Sequence, residues 1–123
     1  MSSNLDPVQI AKMPFTERND AIMHAFNLLL NLDDKSKLEA FKGLLTALGT
    51  KAKDEEYINW CDSTLRVLSM YPDDVIKAVL SLRMKAVSEL PKELQEKDQK
   101  MVTQVLNGLD PSIKEKILKE MKS

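Results

Sequence analysis

A single histidine and a single cysteine limit the chemistry this chain can carry out alone. His24 follows Asp20 by one helical turn, a spacing at which side chains meet. With no second histidine, a two-histidine metal site or proton relay within one chain is impossible, and no further ligands stand at helical spacing. The expectation is an exposed His–Asp pair with no metal. Cys61 falls in the middle of an apolar arc. A reactive thiol needs access and a neighbour that favours the thiolate, so an inert core cysteine is expected. Joining His24 to Cys61 as base and nucleophile would bring a polar strip and an apolar arc to one point. That pairing is rejected.

Loops and clusters that bind ions are no better represented. Between Gly43 and Lys51 the sequence imitates a phosphate-binding loop. Its ending, Gly49-Thr50-Lys51, inverts the Lys-Ser/Thr order, and Gly43 interrupts a helical pattern where a strand should precede it. Three acidic groups, Asp33-Asp34, Asp54-Glu55-Glu56 and Asp73-Asp74, each open a predicted helix. Exposed N–H groups and the helix dipole favour negative charge there. None has the alternating oxygens, central Gly and closing Glu of a calcium loop. No cofactor or catalytic motif emerges, so a non-enzymatic protein is expected.

Lys114, Lys116, Lys119 and Lys122 make the C-terminal helix locally basic, interrupted by Glu115 and Glu120. A nucleic-acid-associated regulator using this helix is the alternative functional reading. No aromatic residue lies among the lysines to stack on bases. A helix-turn-helix drawn through the second and third predicted helices would present Asp54-Glu55-Glu56 to phosphates, which disfavours DNA binding there.

Two charges break apolar stripes. Arg83 projects into the stripe of Ile76, Val79, Val87 and Leu90, and Asp98 into that of Leu94, Met101, Val105 and Leu109. The turn at Leu90-Pro91 lies midway between them. At 1.5 Å rise per residue each is roughly 11 Å from the turn, level in an antiparallel hairpin. A partly buried Arg83–Asp98 ion pair is expected, fixing the hairpin more than stabilising it. Trp60 and Val67, one heptad apart at the edge of another stripe, are the candidate protein contacts, since interface hot spots favour Trp, Tyr and Arg. The seven methionines are expected mostly in the core.

The elements that position these residues are helices. Three glycines and five prolines punctuate 123 residues, and hydrophobic spacing is helical almost throughout. Residues 1–15 read as an irregular N-terminal arm and 16–123 as one all-α domain. It holds about six amphipathic helices: Glu17 to Leu32, capped by Thr16; Lys35 to Leu48, ended by Gly49; Asp54 to Met70; Pro72 to Leu90; Pro91 to Asn107; and Ser112 to Lys122. Short connections predict antiparallel hairpins, forming a compact bundle or a short helical-repeat-like stack. A faint echo at 38 residues matches Val67, Leu68, Val75, Val79 and Leu80 to Val105, Leu106, Ile113, Ile117 and Leu118.

The chain is 43% hydrophobic with a formal net charge of −1, enough for one real core and too balanced for disorder. Near-neutrality disfavours a main role in gripping nucleic acid or an anionic membrane. One cysteine excludes a disulfide scaffold. No apolar run approaches a membrane span, and the N-terminal residues lack a signal-peptide layout. The expectation is a small cytoplasmic protein acting through protein–protein contacts, as an adaptor or a homo-oligomer.

Overall fold

The computed structural model describes residues 6–122. Seven helices follow one another: α1 (Pro7–Ala11), α2 (Phe15–Leu30), α3 (Asp34–Lys51), α4 (Asp54–Leu68), α5 (Asp73–Ser88), α6 (Lys92–Gly108) and α7 (Pro111–Lys122). No strand occurs among the described residues.

The first helix corrects the expectation of an irregular arm, whose residues 1–5 lie outside the described residues. Asp6 Oδ1 accepts from the N–H groups of Val8 at 3.1 Å and Gln9 at 3.4 Å, with Pro7 in the first turn. This is the same cap-plus-proline signal that opens α7 at Asp110-Pro111. Five residues are too few for periodicity to disclose a helix, yet they bury Ile10 and Ala11. Boundaries elsewhere shift by a few residues. Pro14, not Thr16, is the N-cap of α2, and α3 runs through Gly49 to Lys51.

Helices pack most extensively on the second one along: α2 on α4, α3 on α5, α4 on α6, and α5 on α7. One layer therefore holds α2, α4 and α6, and the other α3, α5 and α7. Within a layer the helices run parallel. Arg18 of α2 meets Ser63 of α4 and, further along the chain in both cases, Asn27 of α2 meets Tyr71 just past the end of α4. On α7, Lys116 Nζ donates to the carbonyl of Ser69, in the connection leading into α5, at 2.7 Å, and Lys119, later on α7, pairs with Asp73 at the start of α5 at 3.7 Å. The helices of one layer open at Phe15, Asp54 and Lys92, and those of the other at Asp34, Asp73 and Pro111. The hairpin thus recurs every 38 or 39 residues. The faint echo in the sequence coincides with this spacing: Val67 in α4 and Val105 in α6 stand at equivalent places, both buried. The result is a helical bundle built as a short stack of three hairpins, with α1 packed against α3 and α4.

Every layer contributes to one core. Leu48, Ile76 and Ile117 are completely buried, each such side chain contributing about 1.5–3 kcal/mol. α4, flanked within its layer by α2 and α6, buries Tyr57, Trp60, Cys61, Ser63, Leu65, Val67 and Leu68. A helix with neighbours on two sides has little free edge.

Candidate functional site

Burial of α4 corrects the placement of the candidate contacts. Trp60 is 7% exposed and Val67 is 2% exposed, so neither presents an edge to a partner. Helical spacing within α4 alone shows one covered face. In the stack α2 covers one side and α6 the other, which turns an apparent margin into interior.

The predicted ion pair forms. Arg83 Nη1 lies 2.9 Å from Asp98 Oδ2 and Nη2 2.7 Å from Asp98 Oδ1, a bidentate arrangement. Tyr57, which sequence reasoning left out, donates its hydroxyl to Asp98 Oδ1 at 2.6 Å. Burial and the nearby Asp98 charge hold the Tyr57 hydroxyl protonated well above the usual tyrosine range. Burial alone would lower the Arg83 pKa, but hydrogen bonding to Asp98 and its charge more than offset that. The guanidinium therefore stays charged. Cys61 Sγ lies 4.0 Å from Arg83 Nη2, yet desolvation pushes its thiol up to about 12. A thiol in that state is no nucleophile near neutral pH.

Other residues with chemical potential are dispersed. His24 is exposed on α2, and no ion pair joins it to Asp20 among the described residues. The acidic groups serve the helix starts. Asp33 Oδ1 accepts from Ser36 N at 2.8 Å, and Glu56 Oε1 from Lys53 N at 3.0 Å. No group of three or more His, Cys, Asp or Glu side chains is placed to hold a metal among the described residues. The basic helix is partly engaged internally through Lys116 and Lys119; the Lys122 side chain lies outside the described residues. No helix among the described residues is long and apolar enough to cross a membrane.

The surface that stands out is apolar. Met84 on α5 is 58% exposed and Met121 on α7 is 39% exposed, and both line one groove. Leu80, Val102, Leu106 and Ile117 supply further apolar wall, around a cavity of about 40 Å³. Thr64, Leu65, Leu80 and Arg83 separate it from a second cavity, also about 40 Å³, between α2, α3, α4 and α5. The methionine expectation needs correction accordingly. Met101 is buried, Met13 and Met23 are half-buried, and Met70, Met84 and Met121 are exposed. A signal was available, since Met84 follows Leu80 by one turn beside the stripe. What could not be read was how the neighbouring helices would pack around it.

Volume weighs against a small-molecule pocket, because ligand sites commonly enclose about 300–1,000 Å³. A groove rimmed by exposed methionines suits a protein side chain better. Methionine is flexible and polarisable, and is favoured where a surface must adapt to what it binds. Comparisons with protein-family profiles, with curated proteins and with solved structures find no match to this chain.

Proposed function

We propose that the protein is a small non-enzymatic docking module that binds an amphipathic helix of a partner protein in the groove between Met84 and Met121. The observation that carries this reading is the pair of exposed methionines on either side of an apolar-walled opening. Val102 and Leu106, half-buried and one helical turn apart, offer apolar surface to another helix beside the two methionines, while Leu80 and Ile117 are already buried. Apolar anchors from the guest would enter at helical spacing, and surrounding charges would set its direction. On this reading the protein works in the cytoplasm, where a lone buried thiol remains reduced.

The test is affinity capture from native cells with the wild type and a Met84→Glu/Met121→Glu variant, whose helicity is checked by circular dichroism. Crosslinking from a photoreactive residue at position 84 identifies the contacting segment. A protein retained by the wild type, lost by the variant and crosslinked through a helix supports the reading. Equal retention by both, or concentration-dependent self-association as the wild type's sole interaction, overturns it.

A further inference from the structure

A second surface, on α2 and α4, carries a different chemistry. Arg18 is only 7% exposed. Its Nε donates to Ser63 Oγ at 2.6 Å and its Nη1 to the Met13 carbonyl at 3.0 Å. Both acceptors are neutral, and no carboxylate pairs with it among the described residues. Residues 1–5 carry no acidic side chain either. A charge taken out of water without a counter-charge is costly, and buried arginines ordinarily have one. Arg18 Nη2 makes no hydrogen bond among the described residues, and it is not sealed from solvent.

What lies beside that guanidinium is a second cation and an exposed ring. Phe15, at the first position of α2, is 49% exposed. Arg18 Cζ is 5.6 Å and Arg66 Cζ 5.7 Å from its ring centroid. Arg66 Nε pairs with Asp62 Oδ2 at 2.9 Å, leaving its Nη nitrogens unpaired among the described residues. Cations favour a ring's face, so the two guanidiniums hold Phe15 at the surface. Asp62, paired with Arg66, and the exposed Glu17 temper the positive charge of this patch.

We infer that Arg18, Arg66 and Phe15 form a recognition site for a carboxylate side chain on an acidic, partly apolar segment of a partner protein. The carboxylate takes hydrogen bonds from the free Nη nitrogens, supplies the charge Arg18 lacks, and competes with Asp62 for Arg66. An apolar neighbour in the same segment packs on the Phe15 ring. This site is distinct from the Met84–Met121 groove, since none of Phe15, Arg18 and Arg66 lines that groove.

The test follows the arginine Nε–Hε and Phe15 ring signals by NMR during titration with a short blocked peptide of alternating Glu and Leu. A Lys/Leu peptide and inorganic phosphate serve as separate controls at matched ionic strength. Saturable shifts at Arg18, Arg66 and Phe15 with the acidic peptide alone are expected. Asp62→Asn should bind about threefold tighter, as release of an exposed ion pair allows. Phe15→Ala should bind about fivefold weaker. Met84→Glu should bind as the wild type does; loss in that variant would assign the peptide to the groove and overturn the inference. Shifts no larger than those from salt, or saturation by phosphate without the peptide, would also overturn it.

Discussion

Arg83 grips Asp98 with both terminal nitrogens, at 2.9 and 2.7 Å, across the α5–α6 hairpin. Asp98 Oδ1 is shared, since Tyr57 from α4 also donates to it at 2.6 Å. A carboxylate at 3% residue exposure is thus satisfied from two helices, and one charge ties α4, α5 and α6 together. Breaking such a buried pair from one side leaves an uncompensated charge. Asp98→Ala should therefore cost about 3–5 kcal/mol in urea denaturation.

Replacing both partners by apolar residues, Arg83→Met with Asp98→Leu, should cost less than Asp98→Ala alone. Tyr57 would then be the remaining orphan, so adding Tyr57→Phe should recover about 1–3 kcal/mol. Charge reversal at both positions should restore part of what either single reversal removes. Purely additive single effects in the double reversal would show that Arg83 and Asp98 act separately.

Stability should fall as the solution becomes alkaline. The Cys61 thiol ionises at about 12 when folded, against an ordinary value of 9.0. Between those values the unfolded chain releases the proton while the folded one keeps it, which favours unfolding. The Tyr57 hydroxyl acts in the same direction above its ordinary value of 10.0. Each group contributes a slope of up to about 1.4 kcal/mol per pH unit. Urea melts from pH 8 to 11 should show the decline, reduced in Cys61→Ala and again in Cys61→Ala/Tyr57→Phe. An unchanged slope in both variants would place the thiol and the hydroxyl in contact with water.

Local rules made much of this fold readable. Acids at helix starts, prolines in first turns and helical apolar spacing located six of the seven helices to within a few residues. The Arg83–Asp98 pair was legible because hairpin geometry alone makes the two residues level. Contacts between non-consecutive helices were not legible in the same way. Trp60 and Val67 are interior because α2 and α6 flank α4, and nothing in the α4 sequence reports that neighbourhood. Tyr57 looked like an ordinary stripe residue, its hydroxyl partner being 41 positions away. Arg18 was overlooked because a charge at the start of a helix looks solvated until α1 and α4 close over it.

Trp60 gives a direct optical check on the stacked arrangement. At 7% exposure, and as the chain's one tryptophan, it should emit at short wavelength and resist iodide quenching in the native state. Both properties should change together with helicity on unfolding. Free quenching of the native protein would return Trp60 to the surface and reopen it as a contact residue.

Glycines within α3 offer a paired test of how closely α3 approaches α6. At Gly43 an added Cβ meets nothing within 4 Å, so Gly43→Ala should stabilise by about 1 kcal/mol through helix propensity alone. At Gly49 the same Cβ would stand 2.6 Å from Leu94 Cδ2 and 3.5 Å from its Cγ. The propensity gain is similar, but overpacking of this kind costs about 1–3 kcal/mol, so Gly49→Ala should come out neutral to destabilising. Leu94 is half-buried, and moving its tip would also disturb the neighbouring Lys97, whose Nζ donates to the Gly49 carbonyl at 3.3 Å. In a Leu94→Ala background the obstruction is gone, and Gly49→Ala should become stabilising. That change of sign, measured in a double-mutant cycle by chemical denaturation, depends on contact between α3 and α6. Equal gains for Gly43→Ala and Gly49→Ala in the wild-type background would mean the two helices stand further apart than the structure places them.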